Sequence, residues 1–256
     1  MPLATQPATA VIAEETLDEL LRGRIRVFQP RHGPRVSLDA LLLADFAAMH
    51  GGARPRRVLD LGCGCGVVAL VLAQTSRAER FVGVELQPEL ARLAERNVVM
   101  NGLADRMRII EGDLSRPAEL TLEPGGFDLV VANPPFHAEE RGRAAPRVER
   151  ALARHDGGCT IEDVTRAARR FLAARGRLVL VFPAERLAPL LAALAAQRLV
   201  PRILRTVHSV AGEAGRRVLV QAARDYRGAL PILAPLVVHE DDRRTLTAEA
   251  RRILGG

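Results

Sequence analysis

The sequence contains no lysine, few cysteines and no long apolar run. All 37 basic residues are arginine, which excludes Schiff-base or general-base chemistry on a lysine. Three cysteines, with Cys63 and Cys65 one residue apart, are too few and too badly spaced for a disulfide framework or a finger-type metal site. No apolar run reaches the length of a membrane span. The amino terminus lacks the pattern of a secretory signal, so we expect a cytoplasmic protein.

The composition favours one large α/β domain with an anionic partner. The chain has 256 residues, 48% of them hydrophobic, which is enough to bury a core and too apolar for disorder. Its net charge of +7 indicates a partner such as nucleic acid. Two arginine clusters are candidate contacts, although either one could consist of solvated loop charges. They contain Arg22, Arg24, Arg26, Arg31 and Arg35, and Arg141, Arg143, Arg147, Arg150 and Arg154.

Strand and helix patterns alternate along most of the chain. A weak hairpin signal over 23–37 and a helix over 38–50 precede regular strand–helix units, which include a helix predicted over 161–176. The last two strands have a short connection that is typical of an antiparallel pair. The pattern therefore predicts an α/β fold with a mainly parallel sheet and a C-terminal antiparallel strand pair. We divide the chain into an N-terminal hairpin and helix extension, residues 1–50, and a main domain, residues 51–256.

Three glycines mark the turn from the first strand of the main domain into its helix. In VLDLGCGCGVVAL, Gly62, Gly64 and Gly66 allow the backbone to approach a ligand at a helix N-terminus. A dinucleotide motif would have Gly or Ala at the position of Val67. With Asp60 ahead of it, the loop resembles instead the loop of S-adenosylmethionine-dependent methyltransferases that receives the methionine part of the cofactor. The alternative is that the glycines serve only a tight turn.

Acidic residues follow the next two predicted strands. A carboxylate at Glu85 can accept hydrogen bonds from ribose hydroxyls, and Asp113 lies where an adenine amino group is expected. Either acid alone could simply cap a helix or end a strand. Because parallel strands end at the same edge of a sheet, the glycine loop and both acids together predict a single cofactor crevice.

The fourth strand ends in Asn133-Pro134-Pro135-Phe136, which resembles the N-P-P-[YF] motif of methyltransferases that act on planar amino nitrogens. The Asn133 side-chain oxygen and the Pro134 carbonyl can each accept an N–H and so orient the amine for an in-line displacement. Phe136 offers a face on which a flipped-out base can stack. The alternative is a strand stopped by prolines.

The chain as a whole resembles the bacterial tRNA(Val) adenine-N6 methyltransferases. The resemblance covers RVSLDALLLADF, LDLGCGCG, GVEL, EGD, NPPF, ALARHD, GRLVLVFP and the C-terminal tail. It implies a Rossmann-like class I methyltransferase fold over 51–256, S-adenosylmethionine as cofactor, no metal, and tRNA as substrate. It also implies that Ser37 and Asp39 face the cofactor, whereas from the residues alone they could be a helix N-cap pair.

Other target groups remain open. NPPFH also resembles the motif of ribosomal-RNA guanine-N2 methyltransferases, although many of those have a duplicated domain. Protein glutamine-N5 methyltransferases that act on release factors resemble the core alone and usually have a substantial helical domain ahead of it. A non-catalytic module that keeps the cofactor crevice is a further alternative, and the intact Asn133 argues against it. The sequence does not determine the oligomeric state.

Overall fold

The computed structural model describes residues 14–32, 35–134 and 159–255. Its strands form a hairpin and an eight-stranded sheet. The hairpin consists of β1 (Glu15–Leu20) and β2 (Ile25–Pro30). The sheet consists of β3 (Arg57–Leu61), β4 (Arg80–Glu85), β5 (Met107–Glu111), β6 (Phe127–Ala132), β7 (Leu172–Pro183), β8 (Leu199–His208), β9 (Arg217–Arg224) and β10 (Leu236–Val237).

Helices connect most of these strands. They are α1 (Leu38–His50), α2 (Val67–Thr75), α3 (Pro88–Met100), α4 (Ile161–Phe171), α5 (Leu187–Ala196) and α6 (Ala248–Leu254), with a 3₁₀ turn at Ala184–Arg186. In the part of the chain that the structure describes, no helix has the length and apolar character needed to cross a bilayer.

The sheet has the predicted mixed topology. Its strand order is β10-β8-β9-β7-β6-β3-β4-β5. Strands β7, β6, β3, β4 and β5 run parallel, and β9 is antiparallel to both of its neighbours, β7 and β8. The predicted α/β class, the mainly parallel sheet and the C-terminal antiparallel pair are therefore confirmed. The division at residues 50 and 51 stays a prediction.

Hydrophobic side chains cover both faces of the sheet. Alternate residues of β6 point to opposite sides: Leu129 and Val131 belong to a core with α1, α2 and α3, and Val130 and Ala132 to a core with α4 and α5. All four are fully buried. This burial on both sides explains why the strand reads as a continuous apolar run.

The hairpin begins earlier in the chain than predicted. The sequence predicts the hairpin within 23–37, but β1 comes from the residues before that stretch, and the turn lies between Leu20 and Ile25. Leu21 and Arg22 adopt left-handed conformations, with φ of 50° and 58°, ahead of Gly23. Non-glycine residues rarely adopt this conformation, so the turn carries little recognisable sequence signal.

The fourth helix ends earlier than predicted. The sequence favours a helix up to Gly176, yet α4 ends at Phe171, and Leu172 already pairs with Phe127 of β6. The register then shifts until Arg177 pairs with Leu129. A side chain at Gly176 would lie 2.9 Å from the Phe127 carbonyl. Strand pairing and burial of Leu172 thus override the helix propensity of the segment.

Asn97 of α3 and Asn101, the C-cap of that helix, bind backbone groups of the hairpin as a neighbouring strand would. Asn97 Oδ1 accepts from the Phe28 N–H at 2.7 Å, and Asn97 Nδ2 donates to the carbonyls of Phe28 and Cys65. One helical turn later, Asn101 makes the corresponding pair of bonds with Arg26. Asn97 is completely buried. It therefore joins the hairpin, α3 and the glycine loop through three hydrogen bonds.

Replacing Asn97 with alanine should strongly destabilise the fold. The change leaves the N–H and the carbonyl of Phe28 and the carbonyl of Cys65 without this partner, so we expect a loss of about 3 kcal/mol in the free energy of unfolding. The less buried Asn101 is the matched control, and Asn101→Ala should cost about 1 kcal/mol. Urea denaturation followed by circular dichroism measures both values. Equal losses for the two variants would contradict the central position given to Asn97.

Candidate functional site

A cavity of about 330 Å³ lies at the carboxyl ends of the parallel strands. Open α/β sheets bind their ligands at this edge. The cavity brings together nine of the eleven residues that the sequence analysis selects. They are Ser37, Asp39, Asp60, Gly62, Gly64, Glu85, Asp113, Asn133 and Pro134. Of the remaining two, Gly66 does not line the cavity, and Phe136 lies outside the described residues.

The glycine loop adopts a backbone that few other residues accept. Gly62, Gly64 and Gly66 have φ values of 72°, 57° and 86°, all in the left-handed region. The first turn is fixed by the N–H groups of Gly62 and Cys63, which both donate to the Val84 carbonyl. Gly66 is buried and forms the N-cap of α2. Its position therefore supports the turn, while Gly62 and Gly64 face the cavity.

Glu85 ties this loop to the end of β4. Its Oε2 accepts from the Gly64 N–H at 2.9 Å, and its Oε1 accepts from the Gln87 N–H at 3.0 Å. A carboxylate offers about four acceptor positions, so each oxygen retains one for a ligand. The residue is 6% exposed, and it meets the cavity with both oxygens already oriented.

Asp60 is a buried acid with an unused oxygen. It is 1% exposed, and its Oδ2 has no hydrogen-bond partner among the described residues. Its pKa is raised to about 7, mainly by burial and to a smaller extent by the nearby charge of Glu85. A hydrogen bond from the Ala69 N–H acts in the opposite direction and lowers the pKa. A cationic ligand group would satisfy this oxygen and stabilise its ionised form.

Asp113 lies beyond the end of β5. Its Oδ1 accepts from the Ser115 N–H at 2.7 Å, which turns the side chain back over the following residues. The Arg116 Nε lies 4.0 Å from Oδ2, beyond hydrogen-bond distance. One carboxylate oxygen is therefore held by the backbone, and the other is without a close cationic partner at the cavity wall.

Ser37 and Asp39 lie both at the start of helix α1 and at the cavity, so the helix-cap position and a ligand-facing position are compatible. Ser37 is the N-cap of α1, and its side chain accepts from the Ala40 N–H at 3.3 Å. Asp39 accepts from the Arg217 Nε at 2.8 Å. Both also line the cavity. The helix cap therefore positions the pair at the cavity and does not exclude a contact with a ligand.

Asn133 and Pro134 follow β6 directly at the rim. Asn133 is half-buried, and within the described ranges its amide has no hydrogen-bond partner. Pro134 is buried, and the proline ring after Asn133 restricts the Asn133 backbone to extended conformations. The Asn133 side-chain oxygen is therefore available at the cavity. Pro134, whose carbonyl is the second possible acceptor, lines the same wall.

The three cysteines lie at the site, which was not predicted from the sequence. Cys63, Cys65 and Cys159 all line the cavity and all are free thiols. Burial raises the pKa of Cys65 to about 11 and that of Cys159 to about 12, and it raises the pKa of Cys63 well above its usual range. Protonated thiols are weak nucleophiles. The thiols therefore supply apolar surface to the cavity. For Cys63 and Cys65, their place within the glycine motif was the sequence feature that could have predicted this position.

The first arginine cluster is largely engaged within the protein. Arg22 donates to the Gly255 carbonyl and Arg24 to the Leu21 carbonyl. Arg31 pairs with an acid, Glu14, at 2.8 Å, and Arg35 pairs with Asp18 at the same distance. Arg35 also lines the cavity. The second cluster, Arg141 to Arg154, lies outside the described residues.

Comparison with known proteins identifies the family. Residues 38–219 match the family model of the methyltransferase small domain. A tRNA1(Val) (adenine(37)-N6)-methyltransferase of Porphyromonas gingivalis is 35% identical over 187 residues, which cover 72% of this chain and 72% of that protein. The protein of the same name from Aeromonas hydrophila is 34% identical, over 78% of this chain and 81% of its own length.

Solved structures share the fold. A predicted O-methyltransferase from Agrobacterium tumefaciens is 26% identical, with a TM-score of 0.66, and the match covers 84% of this chain and 94% of that chain. A ribosomal protein L11 methylase from Lactobacillus delbrueckii subsp. bulgaricus is 20% identical, with a TM-score of 0.54 over 75% of this chain and 81% of its own. The chain therefore has a Rossmann-like class I fold. It belongs to the methyltransferase small domain family, whose members use S-adenosylmethionine, and it is similar to the tRNA1(Val) adenine-N6 methyltransferases.

Proposed function

We propose that the protein transfers a methyl group from S-adenosylmethionine to the N6 amine of an adenine in tRNA. The observation that carries this proposal is the position of Asn133 and Pro134 on the wall of a cavity that also contains the glycine loop and three strand-end acids. The names of the relatives at 34% and 35% identity support the choice of an adenine in tRNA. We also propose a cytoplasmic location, where this substrate would be available.

The residues present fit the cofactor. Glu85 has free acceptor positions for ribose hydroxyls, and Asp113 has an oxygen available for an adenine amino group. The unpartnered Asp60 Oδ2 fits the ammonium of the methionine part. Gly62 and Gly64 leave open space where a side chain would otherwise stand, since an added Cβ meets no atom within 4 Å. Ser37 and Asp39 would complete the wall on the side of α1.

Asn133 and Pro134 solve the chemical difficulty of a planar amine. The lone pair of an exocyclic base nitrogen is delocalised into the ring, so the nitrogen is a poor nucleophile. The Asn133 Oδ1 and the Pro134 carbonyl can each accept one N–H, which fixes the amine and turns its lone pair toward the methyl donor. S-adenosylmethionine supplies an electrophilic methyl group on sulfonium. No strong base is needed, because the methylated amine is acidic while it is cationic.

Phe136 keeps its predicted role in this proposal. It follows Pro134 by two residues, close enough in the chain to offer an aromatic face to a base held by Asn133. The guanine-N2 and glutamine-N5 alternatives use the same acceptor pair. The relatives' names do not favour either of them.

Nucleoside analysis tests the proposed function. Unmodified tRNA is incubated with the protein and isotope-labelled S-adenosylmethionine, then digested and analysed by mass spectrometry. We expect label in N6-methyladenosine. Label in N2-methylguanosine, or label only in a release factor offered in parallel, would contradict the adenine assignment.

Asn133→Ala should abolish most of the chemistry without affecting the cofactor. Removal of a positioning group should slow single-turnover methyl transfer by on the order of a hundredfold or more. Binding of S-adenosylmethionine should stay nearly normal. Asn101→Ala is the control, because it weakens the fold outside the site and should leave the transfer rate unchanged. A folded, cofactor-bound Asn133→Ala protein as fast as the parent would remove the central residue of the mechanism.

Glu85→Ala should weaken cofactor binding. The substitution removes the ribose contacts and also frees the Gly64 N–H, so we expect a loss of about a hundredfold in affinity, equivalent to two charge-assisted hydrogen bonds. Isothermal titration calorimetry measures the change. Glu95→Ala, which removes an exposed acid from α3, controls for the loss of one negative charge and should bind as the parent does. Unchanged affinity in Glu85→Ala would exclude the assignment.

Cofactor affinity should rise with pH because of Asp60. Its pKa of about 7 means that the acid is mostly neutral below that pH and mostly ionised above it. Only the ionised form pairs with an ammonium, so affinity should increase by about tenfold between about pH 6 and about pH 8. Calorimetry over this range tests the effect. Asp60→Asn should bind more weakly and lose the dependence, and an equally steep dependence in that variant would assign it to another group.

A further inference from the structure

A second cavity, of about 860 Å³, is lined by arginines. It lies between α4 and the segment that joins β5 to β6, and we call it the arginine cleft. Five arginines and one acidic residue, Glu119, are among the residues that line it. The arginines are Arg116, Arg166, Arg169, Arg170 and Arg224. This excess of positive charge in a concave site favours an anionic ligand.

The guanidinium group of Arg169, which lines the arginine cleft, has only one distant acidic partner among the described residues. Its Nη1 is buried without a hydrogen-bond partner among the described residues. Its Nη2 lies 3.4 Å from Asp225, and that acid is bound more closely by Arg198, at 2.7 Å. A buried cationic N–H without an acceptor is costly. Arg169 lines the cleft, and an anion bound there would offset the cost of its charge.

Two of the neighbouring arginines, Arg116 and Arg170, are also weakly neutralised. Arg116 lies 3.8 Å from Glu119 and 4.0 Å from Asp113, and its side chain is 67% exposed. Arg170 is exposed, and the ion pairs among the described residues do not include it. Arg166 is paired with Asp163. The spacing of 166, 169 and 170 places three arginines on one side of α4.

Two chain segments connect the arginine cleft to the cofactor cavity. Leu114 lines the cavity and the next residue, Ser115, lines the cleft. Cys159 lines the cavity and immediately precedes the N-cap of α4, which carries the cleft arginines. The 11 residues of α4 span about 16 Å, the length of about five stacked nucleotides. One RNA strand can therefore reach both sites.

We propose that the arginine cleft binds backbone phosphates of the RNA whose target adenine enters the cavity, an inference that rests on the proposed function. The guanidinium groups supply the planar donor pairs that phosphate oxygens accept. The contacts would position the RNA without reading its sequence. Inorganic phosphate presents the same oxygen acceptors as the RNA backbone, and the experiment below distinguishes these two ligands.

The test compares two kinds of variant of the full chain. Arg169→Gln removes the buried donor, and Arg116→Gln with Arg170→Gln removes two exposed charges without touching the core. The control, Arg92→Gln with Arg251→Gln, removes two exposed charges from α3 and α6, which pack against the other face of the sheet. The salt dependence of unmodified tRNA binding is measured for each protein.

Both cleft variants should bind tRNA less tightly, by about threefold to tenfold, and their log–log salt slope should fall by about 0.7 to 0.9 for each lost contact. S-adenosylmethionine affinity and the transfer rate at saturating tRNA should equal those of the control.

Three outcomes would contradict the inference. If the parent methylates tRNA but the cleft variants have the same salt slope as the control, this inference alone is overturned. A parent that binds no RNA would overturn it together with the proposed function. An Arg169-dependent thermal shift with inorganic phosphate, combined with an unchanged RNA slope, would identify a free-phosphate site and also overturn it.

Discussion

The hydrogen bond from the Gly64 N–H of the glycine loop to the Glu85 carboxylate is the constraint on which the site depends. Three left-handed glycines in five residues have a high conformational entropy when unfolded, and they need specific partners to stay in one arrangement. The Val84 carbonyl fixes the start of the loop and Glu85 fixes its middle. Asn97 holds the Cys65 carbonyl from the opposite side. The loop is thus built before any ligand arrives.

The same arrangement explains why the cavity carries uncompensated charge. Glu85 is stabilised by backbone N–H groups, whereas Asp60, a short distance away, has an oxygen without a described partner and a pKa raised to about 7 by burial. Such a site costs stability in the free protein and returns it when a cationic group binds. On the wall formed by β6, the acceptor at Asn133 is likewise left without a described partner. Among the described residues of the cavity, Asp60 thus keeps a buried oxygen without a partner where a ligand can use it.

Much of this could be predicted from the sequence, because strand ends in a parallel sheet must meet at one edge. Gly62, Glu85, Asp113 and Asn133 each follow a strand pattern, so their common cavity follows from periodicity and topology. The start of the hairpin could not be predicted, since its turn uses left-handed Leu21 and Arg22. The end of α4 depends on pairing with β6, which is a contact distant in sequence.

Other features depend wholly on tertiary structure. Asn97 has the sequence context of an ordinary helix residue, and only the packing of α3 against the hairpin and the glycine loop gives its side chain three hydrogen bonds. The arginines of α4 share a helix face in the sequence, but the cleft they line is closed by the segment after β5. The sequence makes Arg35 a candidate contact for an anionic partner, and the structure pairs it with Asp18. Such partners are fixed by the fold and carry no local pattern.

The most direct test of the account is a crystal structure of the protein with S-adenosylhomocysteine and a short RNA that contains the target adenine. We expect the ribose hydroxyls at Glu85, and the adenine N6 within hydrogen-bond distance of both Asn133 Oδ1 and the Pro134 carbonyl. An adenine bound elsewhere, or an amine that contacts neither acceptor while the cofactor lies in the cavity, would contradict the account.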